Sequence, residues 1–377
     1  MYSSDIVKSK INRLVLESFR NYSFLDFSPK SNFIVITGLN GVGKTNLLEA
    51  ISLMSPGRGM RGVKLSEMNM LENSSKPWRV TCDVNSKYGS SRIVTYSKLG
   101  AESTKRQVEI DDTSVGHSEL TKMLKISWLI PQMGHIFIDS TSMRRKFLDR
   151  MVMNFDSSHS KNLLSYEYYM RERSNLLKSK SYDQDWMSVL ERNMAEVGVL
   201  IAISRVQFIE MLQETSMDIK YNLPHFVVKV SGEIEEKVHK IPSLQIEEAF
   251  MVVLRENRAL DSLSKRTNAG IHRSDLLVWK GEAGVRADMC STGEQKLLLM
   301  SVFLTEIIAQ IRHRNMMPVI LLDDAVAHLD VKSQAIFFEI VSDIGAQVWV
   351  TSTFMESFEF LKGNAEFLKI ENQIISS

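Results

Sequence analysis

Phe33-Ile34-Val35-Ile36-Thr37 runs directly into Gly38-Leu39-Asn40-Gly41-Val42-Gly43-Lys44-Thr45 and then into Asn46-Leu47-Leu48-Glu49-Ala50-Ile51. An apolar β-branched run, a glycine loop and an amphipathic segment follow one another. That is GxxxxGKT in the context it requires: buried strand, loop, helix. Backbone N–H groups of Gly38, Leu39, Asn40, Gly41, Val42 and Gly43 can turn inward around phosphate oxygens where glycine removes the side-chain obstacle. The helix N-terminus adds its partial positive charge. Lys44 then reaches the β- and γ-phosphates of a nucleotide, and the Thr45 hydroxyl sits on Mg²⁺.

Such a loop needs a second strand that brings a carboxylate to the metal. Pro318-Val319-Ile320-Leu321-Leu322-Asp323-Asp324 supplies one, with two acids at the carboxyl end of an apolar run. Asp323 is expected to hold Mg²⁺, and Asp324 to polarise the attacking water.

Composition fits a protein with a real core. Of 377 residues 44% are apolar and 24% charged, which excludes disorder as the main state and a disulfide or collagen-like scaffold. Lys and Arg number 46 against 45 Asp and Glu, so a globally basic nucleic-acid coat is excluded while a local basic patch is not. Cys82 and Cys290 lack metal-ligand spacing and read as free thiols of a reducing compartment. No apolar run reaches the ~20 residues of a membrane span. The N-terminus carries no signal core, so the expected location is cytoplasmic, with no membrane contact. The 21 methionines scatter along the chain and read as core filling.

Three regions differ in pattern. Residues 1–130 are strand-rich, with runs at 11–19, 33–37, 79–84, 92–96 and 107–110. Residues 139–255 are mostly helical. Within 185–219, Trp186, Leu190, Val197, Ile201, Phe208 and Leu212 recur every three to four positions. From about 270, short apolar strands at 319–322 and 348–350 alternate with helices, as a buried parallel sheet requires. The expected architecture is α/β: a head of residues 1–138 plus 256–377 with a mixed sheet, split by a mainly helical insertion (lid) at 139–255.

Cys290-Ser291-Thr292-Gly293-Glu294-Gln295-Lys296 precedes a helical run at 297–311. Ser-x-Gly-x-Gln at a helix start offers a hydroxyl and backbone donors to a second anion. The same residues also make a good N-cap with an acid in the first turn. Its place before Asp323 resembles the ABC-type ATPases, in which the signature motif of one subunit meets the γ-phosphate held by the other. The resemblance gives Ser291, Gly293 and Gln295 that role. It makes Gln132, in Trp128-Leu129-Ile130-Pro131-Gln132, the Q-loop residue, with a part in catalysis and in holding the metal. Ala327-His328-Leu329-Asp330 resembles the D-loop, and Val348-Trp349-Val350-Thr351-Ser352-Thr353 the switch strand, with Thr353 where most such proteins have histidine.

The stretch between Lys44 and Asp323 is too long for a transporter ATPase and too short for the arms of SMC or Rad50 proteins. At this length the chain resembles the RecF family of bacterial DNA replication and repair proteins. The resemblance is carried by Leu16-Glu17-Ser18-Phe19-Arg20-Asn21-Tyr22, the phosphate loop, Ser55-Pro56-Gly57-Arg58-Gly59-Met60-Arg61, Arg144-Arg145-Lys146-Phe147-Leu148-Asp149, Gly270-Ile271-His272-Arg273-Ser274-Asp275-Leu276 and Leu321-Leu322-Asp323-Asp324. Departures are Ile271 and Ser274, where the family usually has proline and aspartate, and His328, where an acid is common. The resemblance implies a weak, DNA-stimulated ATPase that forms an ATP-dependent homodimer on duplex, gapped or single-strand–double-strand junction DNA. It also implies work with RecO and RecR to place RecA.

On the DNA side, residues 139–182 carry nine Lys or Arg against five Asp or Glu, while 183–220 carry three against seven. Arg144, Arg145 and Arg150, with Arg58 and Arg61, are therefore the candidate phosphate contacts. An ordinary solvated face, and for Arg58 and Arg61 pairing with acids inside the fold, are the competing readings. No base-reading motif is visible. His272 and Arg273 read as structural. Arg20 is placed against the nucleotide base or at the surface. The rival functions are a small-molecule P-loop kinase, against which the Ser291–Gln295 segment counts, and a transporter-type ATPase subunit.

Overall fold

The computed structural model describes residues 6–70, 76–86, 88–98, 105–179, 183–219, 221, 223–282, 284–324, 331–353, 355–371 and 374–376. The chain divides into two compact units, Met1–Gly134 with Glu306–Ser377, and His135–Thr305.

The first unit holds two six-stranded sheets. One carries, in spatial order, Ile374–Ser376, Ala365–Glu371, Phe33–Thr37, Val348–Ser352, Val319–Asp323 and Ile126–Leu129. All neighbours are parallel except the first pair, so the sheet is mixed. Parallel strands are covered on both faces, which is why Ile34, Val35, Ile36, Val319, Ile320, Leu321, Leu322, Val348 and Trp349 are all fully buried. The register sets Ser352 opposite Thr37 and Asp323 opposite Thr351, so the carboxyl ends of three strands share one edge. The glycine loop leaves the sheet at that edge. Ligands of open α/β sheets bind in the crevice there.

The second sheet is an antiparallel meander of Tyr22–Phe27, Lys10–Phe19, Arg79–Ser86, Gly89–Lys98, Lys105–Ile110 and Thr113–Ser114. Its strands alternate as half-buried strands do: Val80, Cys82 and Val84 point in while Arg79 and Asn85 face solvent. The inward residues join Leu14 and Leu16 in one core with Leu47, Leu48 and Ile51 of the Lys44–Ser52 helix. Burying each such side chain is worth about 1.5–3 kcal/mol, so the helix behind the glycine loop is firmly seated.

The second unit is mainly helical: Thr141–Phe155, His159–Leu177, Gln184–Met217 and Ser243–Glu256. Ser140 and Asp183 cap the first and third of these. Of the stripe expected along the long helix, Leu190, Ile201, Phe208 and Leu212 are buried, whereas Trp186 in the first turn is 47% exposed. Strand Phe226–Ser231 pairs antiparallel with Asp275–Lys280. That ladder ties residues beyond 255 to the helices, so the compact unit runs to Thr305 and takes in the Ser291–Gln295 segment. Two buried arginines organise it. Arg173 pairs with Glu191 and Asp261, and Arg205 with Asp149 and Glu235. No helix among the described residues is long and apolar enough to cross a membrane.

Candidate functional site

The Lys44–Ser52 helix begins where the glycine loop ends. Gly38 has φ +149°, and a Cβ there would stand 2.7 Å from the Ile370 carbonyl oxygen, so the loop can leave the sheet so tightly only with glycine. Lys44 is 5% exposed, and its Nζ donates to the Gly38 and Leu39 carbonyls at 2.7 and 3.0 Å. Burial pulls its pKa down, while Asp324 and Asp323 pull it up. The ammonium thus closes the loop on itself at the place where phosphate oxygens would take over its donors.

Asp323 lies at the end of its strand, 7% exposed. Its Oδ1 accepts from the hydroxyls of Thr45 at 2.8 Å and Thr351 at 2.9 Å. Thr351 in turn accepts the Asp324 N–H at 3.0 Å, and Asp324 holds a left-handed φ of +46°. A non-glycine residue there stores strain of order 1–3 kcal/mol, which the two-acid turn sustains at the sheet edge. A carboxylate and a hydroxyl already within hydrogen-bond distance are a hard oxygen donor set. The residues present therefore fit Mg²⁺. Gln132 is exposed in the turn Pro131–His135, just past the Ile126–Leu129 strand, which lies beside Val319–Asp323. Thr353 donates to the Asn40 side chain of the glycine loop at 3.2 Å.

The structure therefore brings Lys44, Thr45, Asp323 and Asp324 to one edge, as expected from the sequence. Sequence reasoning missed Thr351 as a partner of both acids. The register of two adjacent strands is what reveals it. The expected D-loop, Ala327 to Asp330, lies outside the described residues.

Arg20 is half-buried and pairs with an acid of the phosphate-loop helix. Its guanidinium makes two bonds, 3.0 and 3.1 Å, to the carboxylate of Glu49, which is fully buried. Arg61 approaches the same carboxylate at 3.7 Å, so it pairs with an acid inside the fold. Burial pushes the Glu49 pKa up, and the two arginines oppose that shift. Arg58 is exposed.

In the second unit, Ser291 and Glu294 form a reciprocal cap. The Ser291 N–H donates to Glu294 Oε2 at 2.9 Å, and the Glu294 N–H reaches Ser291 Oγ at 3.4 Å. Lys280, with these Ser291 bonds, holds the Glu294 pKa down to about 2. Gly293 is exposed with open space around it, while Gln295 is 5% exposed and donates to the Cys290 carbonyl at 2.9 Å. The segment is a well-made helix start of the 23-residue helix Thr292–Arg314, with Ser291 and Gly293 on the outside.

The candidate DNA arginines divide. Arg144 donates two hydrogen bonds to the Asp275 carboxylate, both 2.7 Å, and Arg145 donates to the Ser274 carbonyl. Arg150 lies 5.0 Å over the Phe147 ring. His272 Nε2 donates to the Thr267 carbonyl at 2.8 Å, so Nδ1 of the neutral ring accepts from Tyr166 Oη at 3.1 Å. Burial lowers its pKa, as a structural neutral histidine requires. Ser274 donates to Glu235 at 2.6 Å; an aspartate there would set a second carboxylate against it.

The RecF/RecN/SMC N-terminal domain family matches residues 10–376. The protein named DNA replication and repair protein RecF from Rickettsia typhi is 36% identical over 364 residues, 96% of this chain and 99% of that one. The chain belongs to the RecF family. A second RecF, from Rickettsia prowazekii, is likewise 36% identical over 96% of the chain. Among solved structures, a RecF with ATPrS superposes with TM-score 0.83, and a RecF with ATP with TM-score 0.81. Each is 23% identical and covers 98% of this chain. The fold is therefore that of a RecF-type ABC ATPase head with its helical insertion.

Proposed function

We propose that this chain is an ATP-switched DNA-binding protein of replication and repair, and that it hydrolyses ATP weakly and faster with DNA. Thr45 bonded to Asp323 at 2.8 Å carries the reading, because it joins the phosphate-loop helix to the second acidic strand. ATP would release Lys44 from the Gly38 and Leu39 carbonyls and take its donors at the β- and γ-phosphates. Thr45, Asp323 and Gln132 would hold Mg²⁺, which when bound neutralises charge on the phosphate oxygens. Asp324 accepts the proton of the attacking water. Ser291 and Gly293, at an open helix N-terminus, meet the γ-phosphate bound by a second copy, with Gln295 bracing the turn from within. ATP binding thus closes a homodimer on gapped or junction DNA in the cytoplasm, and hydrolysis reopens it. RecR and RecO are the expected partners and RecA loading the outcome.

The test is sedimentation of wild type and Lys44→Met with and without ATP and gapped duplex. An ATP-dependent dimer in wild type alone supports the reading. Wild type that binds no ATP, or stays monomeric with both ligands, overturns it. A P-loop kinase would bind ATP and remain monomeric.

A further inference from the structure

A line of hydrogen bonds runs from the surface to the phosphate loop. Arg61 Nη1 donates to Asn46 Oδ1 at 3.2 Å. Asn46 Nδ2 donates to Asn21 Oδ1 at 2.7 Å, and Asn21 Nδ2 donates to the Val42 carbonyl at 2.9 Å. Beside it, the Tyr22 hydroxyl, fully buried, donates to the Gly43 carbonyl at 3.1 Å. An amide side chain can flip end for end, but this line leaves neither asparagine that choice. A guanidinium only donates and a backbone carbonyl only accepts, so both amides must point the same way along the chain.

The far end of the line sits on a loop peptide. A trans peptide is planar, and its N–H points opposite to its carbonyl. Pulling the Val42 oxygen towards Asn21 therefore turns the Gly43 N–H to the other side of the loop, where phosphate is to bind. Gly43 has φ +113°, and a Cβ there would stand 2.4 Å from Asn21 Nδ2, so asparagine and glycine are fitted to each other.

We propose that Arg61, Asn46 and Asn21 are positioning residues: the cation sets the sense of two amides, and they aim the Gly43 N–H at the nucleotide phosphates. This rests on the ATP reading of the same loop. Three consecutive residues, Arg20, Asn21 and Tyr22, thus bond respectively to the phosphate-loop helix, the loop and their junction.

The test measures ATP affinity at equilibrium, with the thermal midpoint, for wild type, Asn46→Asp, Asn46→Leu and Asn21→Asp. Neither variant of Asn46 can donate to Asn21, whose oxygen then loses the contact that holds the amide firmly against Val42. Asn21→Asp cannot donate to Val42 at all. Each should bind ATP about tenfold or more weakly with little change in midpoint, since a lost donor at a charged ligand carries that much. Asn46→Leu combined with Asn21→Asp, which adds no second charge, should be no weaker than the worse single variant, because both break one line. Wild-type affinity in Asn46→Leu overturns the proposal, since a loss confined to the Asp variants is simple charge repulsion. Additive losses in the double variant overturn it too. If wild type itself binds no ATP, the failure lies with the nucleotide reading and not with the line.

Discussion

The Thr45 hydroxyl donates to Asp323 Oδ1 at 2.8 Å although 278 residues separate them in the chain. The bond exists because two apolar runs become strands of one sheet, with Val348–Ser352 between them, and end at the same edge. Chemistry at that edge follows from which oxygen each acid presents. Asp323 Oδ1 is engaged by Thr45 and Thr351, and on the proposed function Asp323 would be the metal-side acid and Asp324 the proton acceptor. Asp324→Asn should therefore bind ATP normally, abolish turnover and accumulate the dimer. Single-turnover hydrolysis at the wild-type rate would remove Asp324 from that role.

Thr351 offers a second check. Its hydroxyl bonds Asp323 and accepts the Asp324 N–H, and it is 1% exposed. Thr351→Val keeps the shape and removes a hydroxyl partner from the buried Asp323 carboxylate and from the half-buried Asp324 N–H, at a cost of about 1–3 kcal/mol. The thermal midpoint should fall and kcat should drop more than KM rises. An unaltered kcat would show that the strained Asp324 turn holds without this hydroxyl.

Much of this was legible in the sequence, for a physical reason. The strand at Phe33–Thr37 is legible to the residue because the apolar β-branched run is too short for a helix and ends at a glycine loop, and the acids after Leu322 mark a strand end equally well. What escaped was lateral: which strand lies beside which, and so that Thr351 faces Asp323. Charge counting was weaker still. The basic surplus of 139–182 includes Arg144 and Arg173, whose charges are spent on Asp275, Glu191 and Asp261, because composition cannot distinguish a solvated cation from a paired one. Likewise the sequence leaves Arg20 between the nucleotide base and the surface, since nothing local announces that Glu49 will be its buried partner.

That distinction predicts different outcomes for the arginines. Arg58 is exposed, so Arg58→Ala should lower affinity for all duplex sequences alike and shallow the log–log salt dependence by about 0.9. Arg144→Ala should instead lower the unfolding free energy by about 1–3 kcal/mol, since Asp275 is left partly buried without its cation. Equal salt slopes for Arg58→Ala and wild type would move the DNA surface away from this loop.

Acid stability has a named source in the insertion. Burial alone would raise the Asp149 pKa, but Arg205 and His159 outweigh it and hold the carboxyl down to about 2. Because the folded pKa lies below the unfolded one, the stabilisation is complete above about pH 4 and is lost as pH falls towards 2. This group contributes on the order of 2 kcal/mol. Denaturant unfolding between pH 5 and pH 2 should show that loss. Asp149→Asn should be less stable at pH 7 and flatter over the same range. A parallel decline in both proteins would assign the acid sensitivity to other carboxylates.

The composite site gives the test that separates a clamp from every single-subunit ATPase. Ser291 starts the Thr292–Arg314 helix with its hydroxyl capped by Glu294, on the exposed side of the turn. Ser291→Arg should leave the ATP affinity of the monomer nearly intact, because the contacts of Lys44 and the glycine loop lie in the other compact unit. It should abolish ATP-induced dimerisation, since a bulky side chain blocks the close approach of a phosphate to a helix N-terminus. Turnover should fall with it. Mixing Ser291→Arg with Lys44→Met subunits sharpens the result. In the mixed dimer one site carries both lesions and the other carries neither, so activity should return in the mixture although each protein alone is inactive. Strict coupling between the two sites could hide that return, so dimer formation by sedimentation is scored beside turnover. A monomeric enzyme gives neither dimer nor complementation, and its rate stays linear in protein concentration. That result would remove Ser291 from the γ-phosphate.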